Sequence, residues 1–292
     1  MKHVLEVSGL NKSYGDFSLN DITFSLPEGC ITGFIGVNGA GKTTVLRTIL
    51  GLTSKLSGDV RFFDMDMGHN ERQIKDRIGV VLDDNYFYDE LTLNEMKEVI
   101  APAYSSWCEE DFKNYIEKFK LNPRQKISTL SKGMRVKYAL ALALSHKAEF
   151  LIMDEPTSGL DPLIRSQLLT ILTAYMENGG KGVLFSTHIT SDLDKIADIL
   201  LMIDDGKIVF QEEKDTLLDD YRIVKGDIHA LNGNTRKLFM NTVETAFGFT
   251  GITSQITRVQ ELMPDVLMER PTIEDIMLAN IKGREHNAVS FN

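Results

Sequence analysis

Gly36-Val37-Asn38-Gly39-Ala40-Gly41-Lys42-Thr43-Thr44 decides how this chain is read, because it fits the phosphate-cradling pattern G-x-x-x-x-G-K-[ST]. The apolar run at 30–35 before it reads as a buried strand. Val45, Leu46, Ile49 and Leu50 after it give one apolar helical face, with Gly51 as a C-terminal cap. Glycines at 36, 39 and 41 let backbone N–H groups close around a polyphosphate, and the helix start adds unpaired donors and partial positive charge. Lys42 brings a full charge to the β- and γ-phosphates, and the Thr43 hydroxyl suits Mg²⁺. A plain glycine-rich turn needs neither.

Working outward, residues 4–10 and 18–26 alternate like strands, joined around Tyr14-Gly15 and ended by Pro27-Glu28-Gly29. Strand signals recur at 60–63, 78–82, 150–153, 182–187 and 199–203, with helical patterns between several of them. This alternation predicts a largely parallel sheet with helices on its faces. From 85 to 145 the pattern is helical, with a capping box at Thr92-Leu-Asn-Glu95 and helical apolar spacing at 109–119. A hairpin at 200–210, turning at Asp205-Gly206, closes the sheet pattern.

The second element of the site is Asp154-Glu155-Pro156, two carboxylates delivered at the end of the apolar strand 150–153. Ligands of open parallel sheets sit at such strand ends. Asp154 suits Mg²⁺ through water, and Glu155 suits the water that attacks a γ-phosphate.

With 292 residues the chain is long enough for one large α/β domain and a smaller one. A formal charge of -10 and the lack of a basic tract argue against nucleic acid as a partner. Two cysteines, Cys30 and Cys108, lack metal-type spacing and fit a reducing cytosol. Charge within the first apolar stretch predicts no signal peptide, and no apolar run of about 20 residues predicts a membrane span.

Together these motifs resemble the ATP-binding subunit of an ABC transporter over roughly residues 3–212. Leu130-Ser-Lys-Gly-Met134 is similar to the family signature Leu-Ser-Gly-Gly-Gln, Ser158-Gly-Leu-Asp161 to the D-loop, and His188 after Phe185-Ser-Thr to the switch histidine. The resemblance implies a P-loop ABC ATPase of α/β class. Its parts are a mostly parallel sheet core, an antiparallel β subdomain, a helical subdomain inserted at about 85–145 and a small C-terminal α/β appendage. It implies catalytic roles for Glu155 and His188. ATP contacts fall to Tyr14, which stands where the family stacks a ring on adenine, and to Gly36, Asn38, Gly39, Ala40, Gly41, Lys42, Thr43, Thr44, Asp83, Ser131, Gly133 and Asp161. Mg²⁺ falls to Thr43, Asp83 and Asp154. Ser131 and Gly133 are expected to face ATP held by an opposite subunit, and Asp161 to cross that interface.

Two departures stand out. Asp83 replaces the Gln that senses Mg²⁺ and the γ-phosphate in the family, and Lys132 and Met134 replace Gly and Gln of the signature. The implied partners are a separate transmembrane permease and a second copy of the chain or a related ATP-binding subunit. The implied place is the cytoplasmic face of the cell membrane, held through the permease. Tyr86-Phe87-Tyr88 and Trp107 are candidates for that docking surface, since aromatics are enriched at interface anchors, with core packing as the alternative. The signature variant, Asp83 and the short extension look most like single-domain subunits of bacterial exporters of antimicrobial or cytolytic peptides, including the phenol-soluble modulin type. The rival reading is a soluble ABC-type ATPase of translation or DNA maintenance, but the chain lacks that class's paired motif sets or long coiled-coil insertion. A GTPase would need an Asn-Lys-x-Asp reader, and Asn11-Lys12 precedes the loop without the Asp.

Residues 213–292 are expected to form the accessory domain, serving dimerisation or regulation. Strands are expected at 221–225, 248–253 and 266–269, a helix at 271–279 with Pro271 in its first turn, and fraying from Arg284.

Overall fold

The computed structural model describes residues 2–82 and 87–289, with side chains as far as residue 281. Strands β1 (His3–Tyr14) and β2 (Phe17–Pro27) form a long antiparallel ribbon, followed by β3 (Cys30–Ile35), which runs into the glycine-rich loop. Helix α1 (Lys42–Ile49) ends in a Schellman turn: Leu52 N–H donates to Arg47 O at 2.9 Å and Gly51 N–H to Thr48 O at 3.1 Å. Gly51 takes the left-handed position that this turn requires, one residue beyond the cap at Leu50. Strands β4 (Ser57–Phe62) and β5 (Met65–Asp66) complete a four-stranded antiparallel layer in the order β2-β1-β4-β5.

Helix α2 (Met67–Arg77) leads into β6 (Ile78–Val81). The helical segment then comprises α3 (Leu93–Ile100), α4 (Glu109–Lys118) and α5 (Lys132–Ser145). The expected capping box is present: Thr92 N–H donates to Glu95 Oε2 at 2.8 Å and Glu95 N–H to Thr92 Oγ1 at 3.2 Å. Among its described residues this segment carries no strand, only an isolated bridge between Thr92 and Lys126. Phe87 packs edge-on against buried Tyr138, and Trp107 packs on Phe112 while its Nε1–H donates to Glu109. Both aromatics thus serve the helical core, Tyr88 stays 65% exposed, and Tyr86 lies outside the described residues.

Strand β7 (Phe150–Asp154) is buried along its whole length, as a central parallel strand covered on both faces must be. Then come α6 (Pro162–Glu177), β8 (Gly182–Thr187), α7 (Thr190–Ile196), β9 (Ile199–Asp204) and β10 (Lys207–Glu213). The central sheet has the order β10-β9-β3-β8-β7-β6, with β3, β8, β7 and β6 mutually parallel. Phe34, Leu46, Phe62, Phe150 and Leu184, each fully buried, belong to one core that joins the antiparallel layer, α1 and this sheet. Burying one such side chain stabilises by about 1.5–3 kcal/mol.

The described chain divides into two compact units, Met1–Ile189 with Leu201–Gln211 and Thr190–Leu200 with Glu212–Asn292. The second contains α8 (Lys214–Asp220), β11 (Arg222–Gly226), β12 (Asn241–Thr245), β13 (Gly248–Thr253), α9 (Ile256–Leu262), β14 (Leu267–Glu269) and α10 (Ile273–Val289). Its sheet, ordered β12-β13-β11-β14, is antiparallel around Val224, Leu238, Phe249 and Val259. Pro271 is not in the first turn of α10. Thr272 is the cap, exchanging hydrogen bonds with Asp275, so Pro271 stands one residue earlier, where its fixed φ needs no helical partner. The helix also runs past Arg284 to Val289.

A charge clamp ties the opening ends of the parallel strands. Glu149 accepts from Arg77 Nε and Nη2 at 2.6 and 2.9 Å and from Lys181 Nζ at 2.7 Å, and its backbone bonds to that of Arg77 and Lys181. The Arg77 hydrogen bonds, opposed by partial burial and helped by Lys181, hold the Glu149 carboxyl down at about 2. A carboxyl depressed on folding stabilises above its unfolded value and loses that stabilisation as pH falls through the folded one. Glu149→Gln is therefore expected to cost about 1–2 kcal/mol near neutral pH. Urea denaturation should show the gap from wild type shrinking as pH falls from about 4.5 towards 2; a pH-independent gap would assign the loss to packing.

Candidate active site

Parallel register assembles the site. Ile35 of β3 pairs with Thr187 of β8, and Asp154 of β7 pairs with Ser186, so Gly36, Glu155 and His188 emerge side by side at one carboxyl edge. The loop after β3 curls tightly. Ala40 N–H donates to Val37 O at 3.1 Å, and the β9–β10 turn fastens the loop through Gly206 N–H to Ala40 O at 3.0 Å. A Cβ on Gly36 would lie 2.4 Å from Ile203 O, so only glycine lets the loop pass this strand. Gly41 opens α1 at φ +114, with Phe17 and Leu19 filling the space a side chain would need.

Lys42 is 6% exposed, yet its charge is well held: Nζ lies 2.7 Å from Gly36 O, 3.3 Å from Val37 O and 3.3 Å from Glu155 Oε1. Glu155 Oε2 in turn lies 2.7 Å from His188 Nδ1. The Glu155 backbone is left-handed, φ +47, and its N–H is shared between Ser186 O at 3.1 Å and Ser186 Oγ at 3.0 Å. This turn aims the carboxylate at Lys42 and His188 instead of continuing the strand. Strain of that kind, about 1–3 kcal/mol, persists where surrounding bonds hold it, and clusters at functional sites.

Asp154 is 2% exposed. Burial pushes its carboxyl up and Glu155 adds to that, while hydrogen bonds from the Ser186 and Thr43 hydroxyls and the charge of Lys42 pull it down. Thr43 and Asp154 thus bring hard oxygen donors together beside the loop, the donor type that Mg²⁺ prefers. Loop residues Asn38, Gly39 and Thr43 are exposed, Thr44 is half-buried and Ala40 buried. Tyr14 is 47% exposed, with Lys12 Nζ 4.5 Å from its ring centre.

The structure gathers the loop, Asp154, Glu155 and His188 into one contact cluster and places Ser131, Gly133 and Asp161 in another. Ser131 caps α5, accepting from Met134 N–H at 3.3 Å, and Asp161 caps α6, accepting from Leu163 and Ile164 N–H at 3.0 Å each. These residues, with Lys132 and Gly159, line an open cavity of about 180 Å³ that no residue of the glycine-rich loop reaches. Asp83 lies outside the described residues. Sequence reasoning missed Ser186. Its only signal was a hydroxyl beside Thr187 at the end of a strand whose first residues are apolar.

A family model described as "ABC transporter" matches residues 19–158. The chain is 31% identical over 212 residues to the bacitracin transport ATP-binding protein BcrA of Enterococcus faecalis, covering 72% of this chain and 69% of that one. It is 30% identical to the Nod factor export ATP-binding protein I of Bradyrhizobium diazoefficiens, covering 96% and 97%. A solved ATP-binding subunit of an ABC transporter superposes with a TM-score of 0.67 at 27% identity, over 74% of this chain and 92% of that one.

Replacing Lys42 by Ala removes the charge aimed at the phosphates and, with it, one contact of Glu155. Equilibrium ATP binding is expected to weaken by roughly 10- to 100-fold, the worth of one or two charge-assisted hydrogen bonds. Unchanged affinity would take Lys42 out of the nucleotide site.

Proposed function

This chain belongs to the ATP-binding subunits of ABC transporters, and from that premise we propose that it powers an exporter by closing with a second ATP-binding subunit around Mg²⁺-bound ATP. The observation that carries the reading is the separation of the two clusters. A complete site needs donors on the far side of the γ-phosphate, and Ser131 with Gly133 present theirs at the start of α5 in a cavity away from the loop. One chain therefore holds two half-sites. A second copy, or a related subunit, supplies the missing half of each, with Asp161 crossing the interface.

Within the half-site of this chain, the loop amides from Gly36 to Thr44 cradle the phosphates and Tyr14 offers its exposed ring to adenine. Thr43 and Asp154 would hold Mg²⁺, which would supply neutralising charge to the phosphates. Lys42 leaves Glu155 for the phosphates when nucleotide enters. Glu155 then orients the attacking water and takes its proton, while His188 keeps the carboxylate in place and faces the γ-phosphate. Loss of that phosphate removes the bridge between the two halves, so they reopen.

The partner in the membrane is a separate permease. Among the described residues no helix is long and apolar enough to cross a membrane; on this reading the permease holds the subunit peripherally, on the cytoplasmic face. Exposed Tyr88 belongs to its docking surface, since aromatics anchor interfaces. Export of peptides or other amphipathic molecules is supported by the names of the relatives, one for bacitracin transport and one for Nod factor export. The second compact unit, with its own sheet and core, reinforces the dimer or regulates it.

Glu155→Gln keeps the shape of the site and removes the base. ATP binding is expected to stay within about twofold of wild type while turnover falls by at least ~100-fold, the usual worth of a positioned general base. Normal hydrolysis would strip Glu155 of this role. Affinity purification from detergent-solubilised membranes should recover a multi-span protein, whereas recovery of ribosomes instead would overturn the transporter reading.

A further inference from the structure

Strand β8 contributes more than His188 to the site. Its buried residues Val183, Leu184 and Phe185 are apolar core, but Ser186, equally buried at 0% exposure, is polar and points its hydroxyl at Asp154, the last residue of β7, and at the backbone of Glu155 that follows it. Ser186 Oγ donates to Asp154 Oδ1 at 2.6 Å and accepts from Glu155 N–H at 3.0 Å.

We propose that Ser186 is a positioning residue for ATP hydrolysis, its single hydroxyl fixing Asp154 and Glu155 relative to one another. The proposal rests on the reading of Asp154 and Glu155 given above. A hydroxyl has one proton, and the Glu155 amide already approaches its oxygen as donor, so the proton goes to the carboxylate. The result is a directed chain from Glu155 N–H through Ser186 to Asp154. Its carboxylate end sets which oxygen of Asp154 is engaged and so how the group faces Thr43. Its amide end supports the left-handed turn that swings Glu155 towards Lys42 and His188.

An apolar residue would fill this place in the core equally well, but would leave Asp154 Oδ1 without its buried donor and the Glu155 amide with the Ser186 carbonyl alone. Both carboxylates would then gain freedom at a site where about 1 Å of misplacement costs roughly 100-fold in rate. Ser186 touches neither nucleotide nor water in this scheme, so its removal should act on turnover and on Mg²⁺ use, and little on affinity for ATP itself.

The test uses the full chain, with wild type, Ser186→Ala and Ser186→Cys compared by steady-state ATP hydrolysis, by Mg²⁺ titration of fluorescent ATP-analogue binding, and by thermal melting. For Ser186→Ala the expected result is a kcat lower by about tenfold or more with the KM for ATP within about twofold. The Mg²⁺ concentration for half-maximal analogue binding should rise several-fold. Ser186→Cys keeps the size and a weak S–H donor, and should recover part of both losses. A Ser186→Ala protein that melts lower but keeps wild-type kcat and Mg²⁺ half-saturation would overturn the proposal and leave Ser186 a packing residue. Should Ser186→Ala not fold, Ser186→Cys decides by the same readouts: its weaker donor should leave kcat below wild type and Mg²⁺ half-saturation above it, and full wild-type values would contradict a requirement for the hydroxyl donor. A wild-type chain without turnover would overturn the parent reading instead, and the Mg²⁺ titration would still decide for or against Ser186.

Discussion

The shared carboxyl edge of β3, β8 and β7 is the constraint on which the site depends. Hydrogen-bond register aligns Ile35 with Thr187 and Asp154 with Ser186, so the next residue of each strand, Gly36, His188 and Glu155, has no freedom to be elsewhere. A one-residue slip in any of the three would turn every side chain to the other face. The fully buried residues along β7 and β8 make such a slip costly, because each would exchange a packed environment for a mismatched one. Packing energy in the sheet is thus what holds Glu155 in contact with Lys42 and His188, next to the buried Asp154.

That arrangement is poised but incomplete. Lys42 is satisfied by two loop carbonyls and Glu155, and Glu155 is satisfied by Lys42 and His188. Each group has a partner in a place where an uncompensated charge would be expensive. On the proposed reading, an incoming polyphosphate takes over Lys42 and leaves Glu155 to the attacking water. Ser131 and Gly133 line a separate cavity that no residue of the glycine-rich loop reaches. On the proposed reading, closure of two subunits, instead of the fold of one, sets when chemistry proceeds.

Much of this was legible in the residues. Gly36, Gly41, Lys42 and Thr43 are demanded by geometry and charge together, so their spacing carries meaning, and Asp154-Glu155 announces itself by following an apolar strand. The parallel sheet, the helical segment and the box at Thr92 and Glu95 follow from periodicity and capping chemistry. Other features depend on contacts that spacing does not encode. Ser186 looks like any strand serine until Asp154 and the Glu155 turn are seen against it. Phe87 and Trp107 carry the same composition signal whether they anchor a partner or, as here, pack on Tyr138 and Phe112. Pro271 stands where both a first-turn and a pre-cap reading fit, and only the exchange between Thr272 and Asp275 separates them. Strand β12 was missed because Asn241, Thr242 and Glu244 lack the apolar alternation by which strands are recognised.

The central claim is that Ser131 of one subunit faces the phosphate loop of another. It is tested most directly by disulfide cross-linking between Ser131→Cys and Asn38→Cys chains carrying Glu155→Gln, with Cys30 and Cys108 replaced by Ser. The account predicts a covalent dimer of one chain of each kind that forms with ATP and Mg²⁺ and not without them. Chains that stay monomeric at saturating ATP, or cross-link equally without it, would contradict the account.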